Sequence, residues 1–127
     1  MVGELESAVV EFFGYLDSMD AEGLVGALDD DVESVDEISR RWLRGRAAVE
    51  GYLRQLMGGA VTDVASRLND VHERMFGDVG VVTGWLEQDY TLDGAPQHVS
   101  APTTILLRRR GSDWKLALFH SIPVSEG

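Results

Sequence analysis

From residue 4 to residue 19 the apolar residues Leu5, Ala8, Val9, Phe12, Leu16 and Met19 recur at intervals of three and four, which places them along one stripe and predicts a helix there. Asp20 is suited to cap a short second helix carrying Leu24, Val25 and Leu28, and the acidic run at 29–31 reads as the solvated end of that helix. Residues 32–38 alternate only in part and lead through a turn at 39–41 into Trp42 and Leu43, which predicts a small hairpin. Gly45 precedes a third helix in which Val49, Tyr52, Leu53 and Leu56 share one face and Gly58 and Gly59 close the end. Beyond it the pattern changes to strand. Residues 66–76, 79–90, 97–109 and 114–123 are extended segments separated by Gly77-Asp78, Asp93-Gly94 and the turn at 110–113. Turns that short make consecutive strands antiparallel neighbours.

Helices in the first half and a long antiparallel sheet in the second predict an α+β fold, in which three N-terminal helices cover one face of a curved, cone-shaped sheet. The last two strands carry apolar residues on both faces: Ile105 and Leu107 against Leu106, then Trp114, Leu116 and Leu118 against Ala117 and Phe119. Both faces therefore need cover, and the open one is expected to meet a second copy in a two-fold homodimer. Strict alternation puts His120 on the face of Trp114, Leu116 and Leu118. Arg108 to Arg110 alternate across a strand end and read as edge protection or the rim of that dimer.

Composition narrows the chemistry. The 127 residues suit one domain spanning 1–127, and the absence of cysteine excludes a disulfide framework, a thiolate nucleophile and a thiolate metal site. A formal charge of -11 repels polyanions, so nucleic acid is not expected as a partner. No apolar run approaches the roughly 20 residues of a membrane span and no basic leader opens the chain, so a cytoplasmic protein off the membrane is expected. Neither a His-Glu-x-x-His pattern, a calcium loop nor a phosphate loop occurs, so no metal and no cofactor is implied; a Gly-x-Ser-x-Gly elbow is missing too.

Four phrases occur in order: Leu28-Asp29-Asp30-Asp31-Val32; Gly45-Arg46-Ala47-Ala48-Val49; Gly77-Asp78-Val79-Gly80-Val81-Val82-Thr83-Gly84; and Thr103 to Arg109 followed by Gly111, Trp114 and His120. With the element order, they resemble the nuclear transport factor 2-like (NTF2-like, cystatin-like) superfamily over nearly the whole chain, in particular its SnoaL-like and ketosteroid isomerase-like branches. The resemblance implies a pocket for a small apolar, polyketide-like or steroid-like molecule. In the isomerase branch it implies a general base five residues after the acidic pair that closes helix two, here Asp36, which takes a proton from carbon beside a carbonyl. The histidine that SnoaL-like members often carry six residues after the last-strand tryptophan corresponds to His120.

The oxyanion donors of the isomerase branch fall near Phe12 or Phe13 and near Ala101 or Thr103, so this chain lacks that pair, and Tyr15, Tyr52, Tyr90, His98 or His120 are the available substitutes. Phe12, Tyr15, Trp42, Tyr52, Trp85, Tyr90 and Thr103 are the candidate ligand-binding residues. Competing readings stay open for several positions. Asp36 is a pocket base or one more solvated carboxylate of the stretch 33–37, and His120 is a pocket acid or base or a buried neutral histidine on a backbone carbonyl. Arg40, Arg41, Arg44 and Arg46 could draw an anion to the mouth of the cone, whereas His72 and His98 read as rim residues. Two functions follow: a small-molecule pocket with proton-transfer chemistry of isomerase or cyclase type at Asp36, or a non-catalytic ligand-binding or association module.

Overall fold

The computed structural model describes residues 3–124. Helix α1 (Glu4–Asp17) ends where the Ser18 hydroxyl folds back onto the Gly14 carbonyl at 2.8 Å and Met19 takes a left-handed φ of 58°. Asp20 then caps α2 (Ala21–Gly26) by accepting the Gly23 amide at 3.0 Å. Strands β1 (Leu28–Asp36) and β2 (Leu43–Arg44) follow, and Gly45, at φ 90°, supplies the turn into α3 (Arg46–Gln55). The helix runs on into a π-helical turn at Leu56–Ala60, so Gly58 and Gly59 lie within that turn instead of capping α3. Strands β3 (Val61–Phe76), β4 (Val79–Leu92), β5 (Ala95–Arg110) and β6 (Asp113–Ser121) complete the chain.

All six strands form one curled sheet in the order β2-β1-β6-β5-β4-β3, with the helices over its concave face. This is the α+β architecture expected, a curled sheet roofed by N-terminal helices. Its main core joins Leu5, Val9, Phe12 and Phe13 of α1 to Val82, Leu86, Ile105, Leu107 and Leu116 of the sheet; fully burying such side chains contributes about 1.5–3 kcal/mol each. The helix packs tightly over Gly80, where a Cβ would stand 2.4 Å from Leu5 Cδ2. A second cluster, Val61, Val64, Tyr90, Val99 and Ala101, fills the other end. Edge strand β3 breaks its register with β4 between Thr62 and Ala65 and again between Asn69 and His72; Asp63 and Asp70 lie there at φ 55° and 52°. These bulges bend the sheet.

Expectations are corrected at the acidic run, at Arg108 to Arg110 and in the alternation of β6. The acidic run 29–31 belongs to strand β1, where Asp29 is 2% exposed and accepts Arg110 Nε at 2.7 Å and Arg108 Nη1 at 3.3 Å; those arginines share a face because they sit two residues apart on an interior strand. Strand β1 runs parallel to β6, a pairing that short turns do not announce. In β6, Leu116 opposes Leu107 and Leu118 opposes Leu106, leaving Ala117 as an extra residue that reverses the alternation after it.

Among the described residues no helix is long and apolar enough to cross a membrane.

Candidate functional site

Between the helices and the concave sheet lies a cavity of about 90 Å³. Its walls are hydrocarbon over most of their extent: Phe12 and Leu16 from α1, Val49 and Leu53 from α3, Leu56 and Met57 from the π-helical turn, Leu86 and Val99 from the sheet, and Leu116 and Phe119 from β6. The third-helix face read from periodicity, Val49, Tyr52, Leu53 and Leu56, is wholly on this wall.

Polar groups collect where β1 ends. Asp36 Oδ1 accepts the amides of Ile38 at 3.0 Å and Ser39 at 2.8 Å, so the turn that leaves β1 is built on this carboxylate. The Tyr52 hydroxyl donates across the cavity to both its oxygens, 2.8 Å to Oδ1 and 3.0 Å to Oδ2. Beside it, the Tyr90 hydroxyl donates to Glu37 Oε2 at 3.1 Å. Burial first, then the carboxylate each one faces, pushes both phenols far above the ordinary tyrosine range, so both remain protonated donors. Ser34, Gln88 and Ser121 supply the remaining polar lining. Gln88 Nε2 is spent on Ser66 Oγ at 2.9 Å, and Ser121 Oγ lies 2.8 Å from Thr103 Oγ1, which also donates to the Ala101 carbonyl at 3.1 Å.

Of the candidates read from sequence, Asp36, Phe12, Tyr52 and Tyr90 line the cavity, and Tyr15, Trp42, Trp85, Thr103 and His120 do not. Tyr15 is turned to Glu11, whose carboxylate accepts its hydroxyl at 2.6 Å and, with that bond as the main cause, raises its pKa. Thr103 points inward but lies buried behind Ser121. Trp85 is on the outer face of β4, 39% exposed and bonded to Ser100. Trp42 stacks on His120 with ring centres 5.8 Å apart, also outside. The Ala117 bulge explains His120: strict alternation places it inward, and the extra residue turns it out and brings in Phe119 and Ser121.

The arginines near the hairpin do not gather as an anion site. Arg46 bonds the Leu28 and Val25 carbonyls, Arg44 pairs with Glu33, and Arg40 Nε is held by the Glu37 carbonyl. His72 and His98 lie on the surface, as read from sequence; His98, between Asp89 at 2.7 Å and Glu87 at 3.0 Å, has its pKa raised chiefly by the Asp89 bond. Among the described residues no group of three or more His, Asp or Glu is placed to hold a metal ion. Sequence reasoning missed Glu37, Ser34, Gln88 and Ser121. Alternation signals Gln88, in step with Leu86 and Tyr90, but nothing signals Glu37, which follows the last residue of β1 and turns inward with the chain.

A family model described as the SnoaL-like domain matches residues 5–125. No curated protein matches the sequence at a significant level. Among solved structures, a candidate dehydratase of the NTF2-like family from Streptomyces avermitilis superposes with a TM-score of 0.87 at 22% identity, over 96% of this chain and 94% of that one. An uncharacterised protein with a cystatin-like fold from Caulobacter vibrioides gives 0.80 at 17% identity, over 96% and 88% of the two chains. The S. rosetta CaMKII hub gives 0.79 at 19% identity, over 98% and 99%. At these identities the likeness is one of fold.

Proposed function

The chain belongs to the SnoaL-like domain family, and from that premise we propose that it holds a small, mostly apolar organic molecule in the cavity, oriented by the acceptor oxygens of Asp36 and Glu37. The observation that carries this is two carboxylate–tyrosine pairs at one end of an otherwise hydrocarbon chamber. Size limits the ligand. A dry apolar cavity of about 150 Å³ takes a benzene ring, so about 90 Å³ suits a small ligand, at most about a single ring and well short of a steroid.

Proton transfer at Asp36 is the catalytic form of this reading. Oδ1 is committed to two amides, and Oδ2 carries only the Tyr52 hydroxyl, so Oδ2 is the basic atom a substrate would meet. An isomerase also needs a free donor for the enolate oxygen, and both phenols at this end already serve carboxylates. Binding therefore ranks ahead of enolisation. Deuterium uptake by cyclohex-3-enone in D2O, followed by NMR, separates them. Exchange above buffer that falls about 100-fold or more in Asp36→Asn supports the base. Exchange equal in both proteins removes it, and saturable binding without exchange leaves a receptor.

The second reading, self-association, has its own observation. The outer face carries Trp85, Leu106, Leu118 and Trp42, with the two tryptophans 39% and 42% exposed. We read this face as the contact between two copies. Light scattering should return the mass of two chains, and Trp85→Glu combined with Leu118→Glu should return one; a wild-type monomer at high micromolar concentration refutes it.

A further inference from the structure

Most of the hydrogens that the polar end of the cavity could offer are already used inside the protein. The Tyr52 hydroxyl goes to Asp36, the Tyr90 hydroxyl to Glu37 and the Gln88 amide to Ser66. Thr103 donates to the Ala101 carbonyl, which leaves the Ser121 proton for Thr103. Among the described residues the Ser34 hydroxyl and the second hydrogen of the Gln88 amide have no acceptor assigned on this wall. The same wall has acceptor capacity to spare: Asp36 Oδ2 carries only the Tyr52 hydroxyl, and among the described residues the second oxygen of Glu37 carries no hydrogen bond. A ligand that only accepts hydrogen bonds would find two neutral donors here, whereas one that donates would find two carboxylates.

Charge points the same way. Among the described residues the wall holds two carboxylates and no Lys, Arg or His. Arg40, whose charge is felt at Tyr90, has its Nε on a backbone carbonyl and is itself exposed, and it is not among the residues of the cavity wall. The two pairs act as one cluster, since Asp36 is felt at Tyr90 and Tyr90 at Tyr52. A negative ligand end, carboxylate or phosphate, would meet like charge in a partly desolvated place, where repulsion is strong.

We infer that the occupant of the cavity is a small primary amine, a hydrocarbon body of about a single ring ending in an ammonium group that donates to both Asp36 and Glu37. The inference rests on the pocket reading above and narrows it. An ammonium brings three donors to one point and a charge opposite to the wall, whereas an alcohol brings one donor and no charge. The hydrocarbon walls exclude a polyamine, whose second charge would be buried against Leu53, Leu86 and Phe119.

The test keeps one hydrocarbon body and changes only its polar end: benzylamine, benzyl alcohol, toluene and benzoate, each titrated against the whole protein with NMR of the Phe12, Tyr52 and Phe119 side chains. Benzylamine should bind about tenfold or more tightly than benzyl alcohol, toluene should follow, and benzoate should not shift these signals. In Asp36→Asn with Glu37→Gln, benzylamine should weaken at least tenfold while toluene is unchanged. Toluene or benzyl alcohol binding as well as the amine, or benzoate binding better, overturns the amine assignment and leaves the pocket. No member reaching these side chains at millimolar concentration overturns the pocket reading and the inference together. Because the series is run first on the wild-type protein, a double variant that fails to fold does not rescue the proposal.

Discussion

Tyr52 is the side chain on which the polar end turns, because its hydroxyl closes onto both oxygens of Asp36 from the opposite wall. Tyr52→Phe leaves the ring in place and removes a bond to a charged acceptor, so urea unfolding should show a loss of about 1.5–3 kcal/mol, at the low end because Asp36 keeps its two amide donors. The phenols also set an alkaline limit. Tyr52 and Tyr90 have folded-state pKa values raised by burial and by Asp36 and Glu37, above an unfolded value near 10. Their contribution is therefore fully present below about pH 10 and is lost as pH rises toward the raised folded values. In a spectrophotometric titration Tyr15 should ionise first, and the other two should ionise only together with loss of the near-ultraviolet dichroism; hyperbolic ionisation of all three in the folded protein contradicts this. At this scale the sequence was half legible. Periodicity put Phe12 and Tyr52 on helix faces and Tyr90 in a strand, because each sits in an uninterrupted element, whereas Asp36 was picked out by the family resemblance alone. His120 was misplaced because it lies beyond a bulge that alternation cannot see.

Elements are held to one another at two narrow places. Helix α1 rests on β4 through Leu5 over Gly80, where a methyl group would overlap the leucine at 2.4 Å. Gly80→Ala should cost about 1–3 kcal/mol by thermal unfolding, because both Cδ atoms of Leu5, a core side chain 2% exposed, must shift to admit the methyl group. Across the sheet, Asp29 of β1 joins Arg108 and Arg110 of β5 over the intervening β6. The bond from Arg110 holds the Asp29 carboxyl below the usual carboxylate range, so its stabilisation is present above about pH 4 and disappears as pH falls through the lowered value. Asp29→Asn should cost about 1–3 kcal/mol at pH 7, less than a fully buried pair because both arginines are partly solvated, and the difference from wild type should shrink in acid. An equal difference at pH 7 and pH 3 would deny the ion pair that role. The run 29–31 reads as helix end because three aspartates suit solvent; only the arginines about eighty positions downstream turn it into strand, and local pattern carries no such information.

For the molecule as a whole, the charge of -11 opposes compaction. Raising sodium chloride from about 10 mM to about 500 mM should raise the melting temperature, since screening relieves self-repulsion more than it weakens the shielded Asp29 pair. A falling melting temperature would show that surface ion pairs dominate. The fold class was legible at this level: helical periodicity in the first half, period-two strands in the second and short turns between them suffice for a curled sheet under helices. Strand order was not. Hairpins specify β3 to β6 because each closes locally, whereas β1 finds β6 only through the assembled core.

That parallel pairing reaches from Glu33 to Leu118 and from Asp36 to Ser121. During synthesis the first strand leaves the ribosome with no neighbour on that side, and it must wait for the last strand to emerge before Val32 and Val35 are enclosed. A nascent chain arrested before residue 113 should stay open to protease throughout, and protection should arrive in one step upon release.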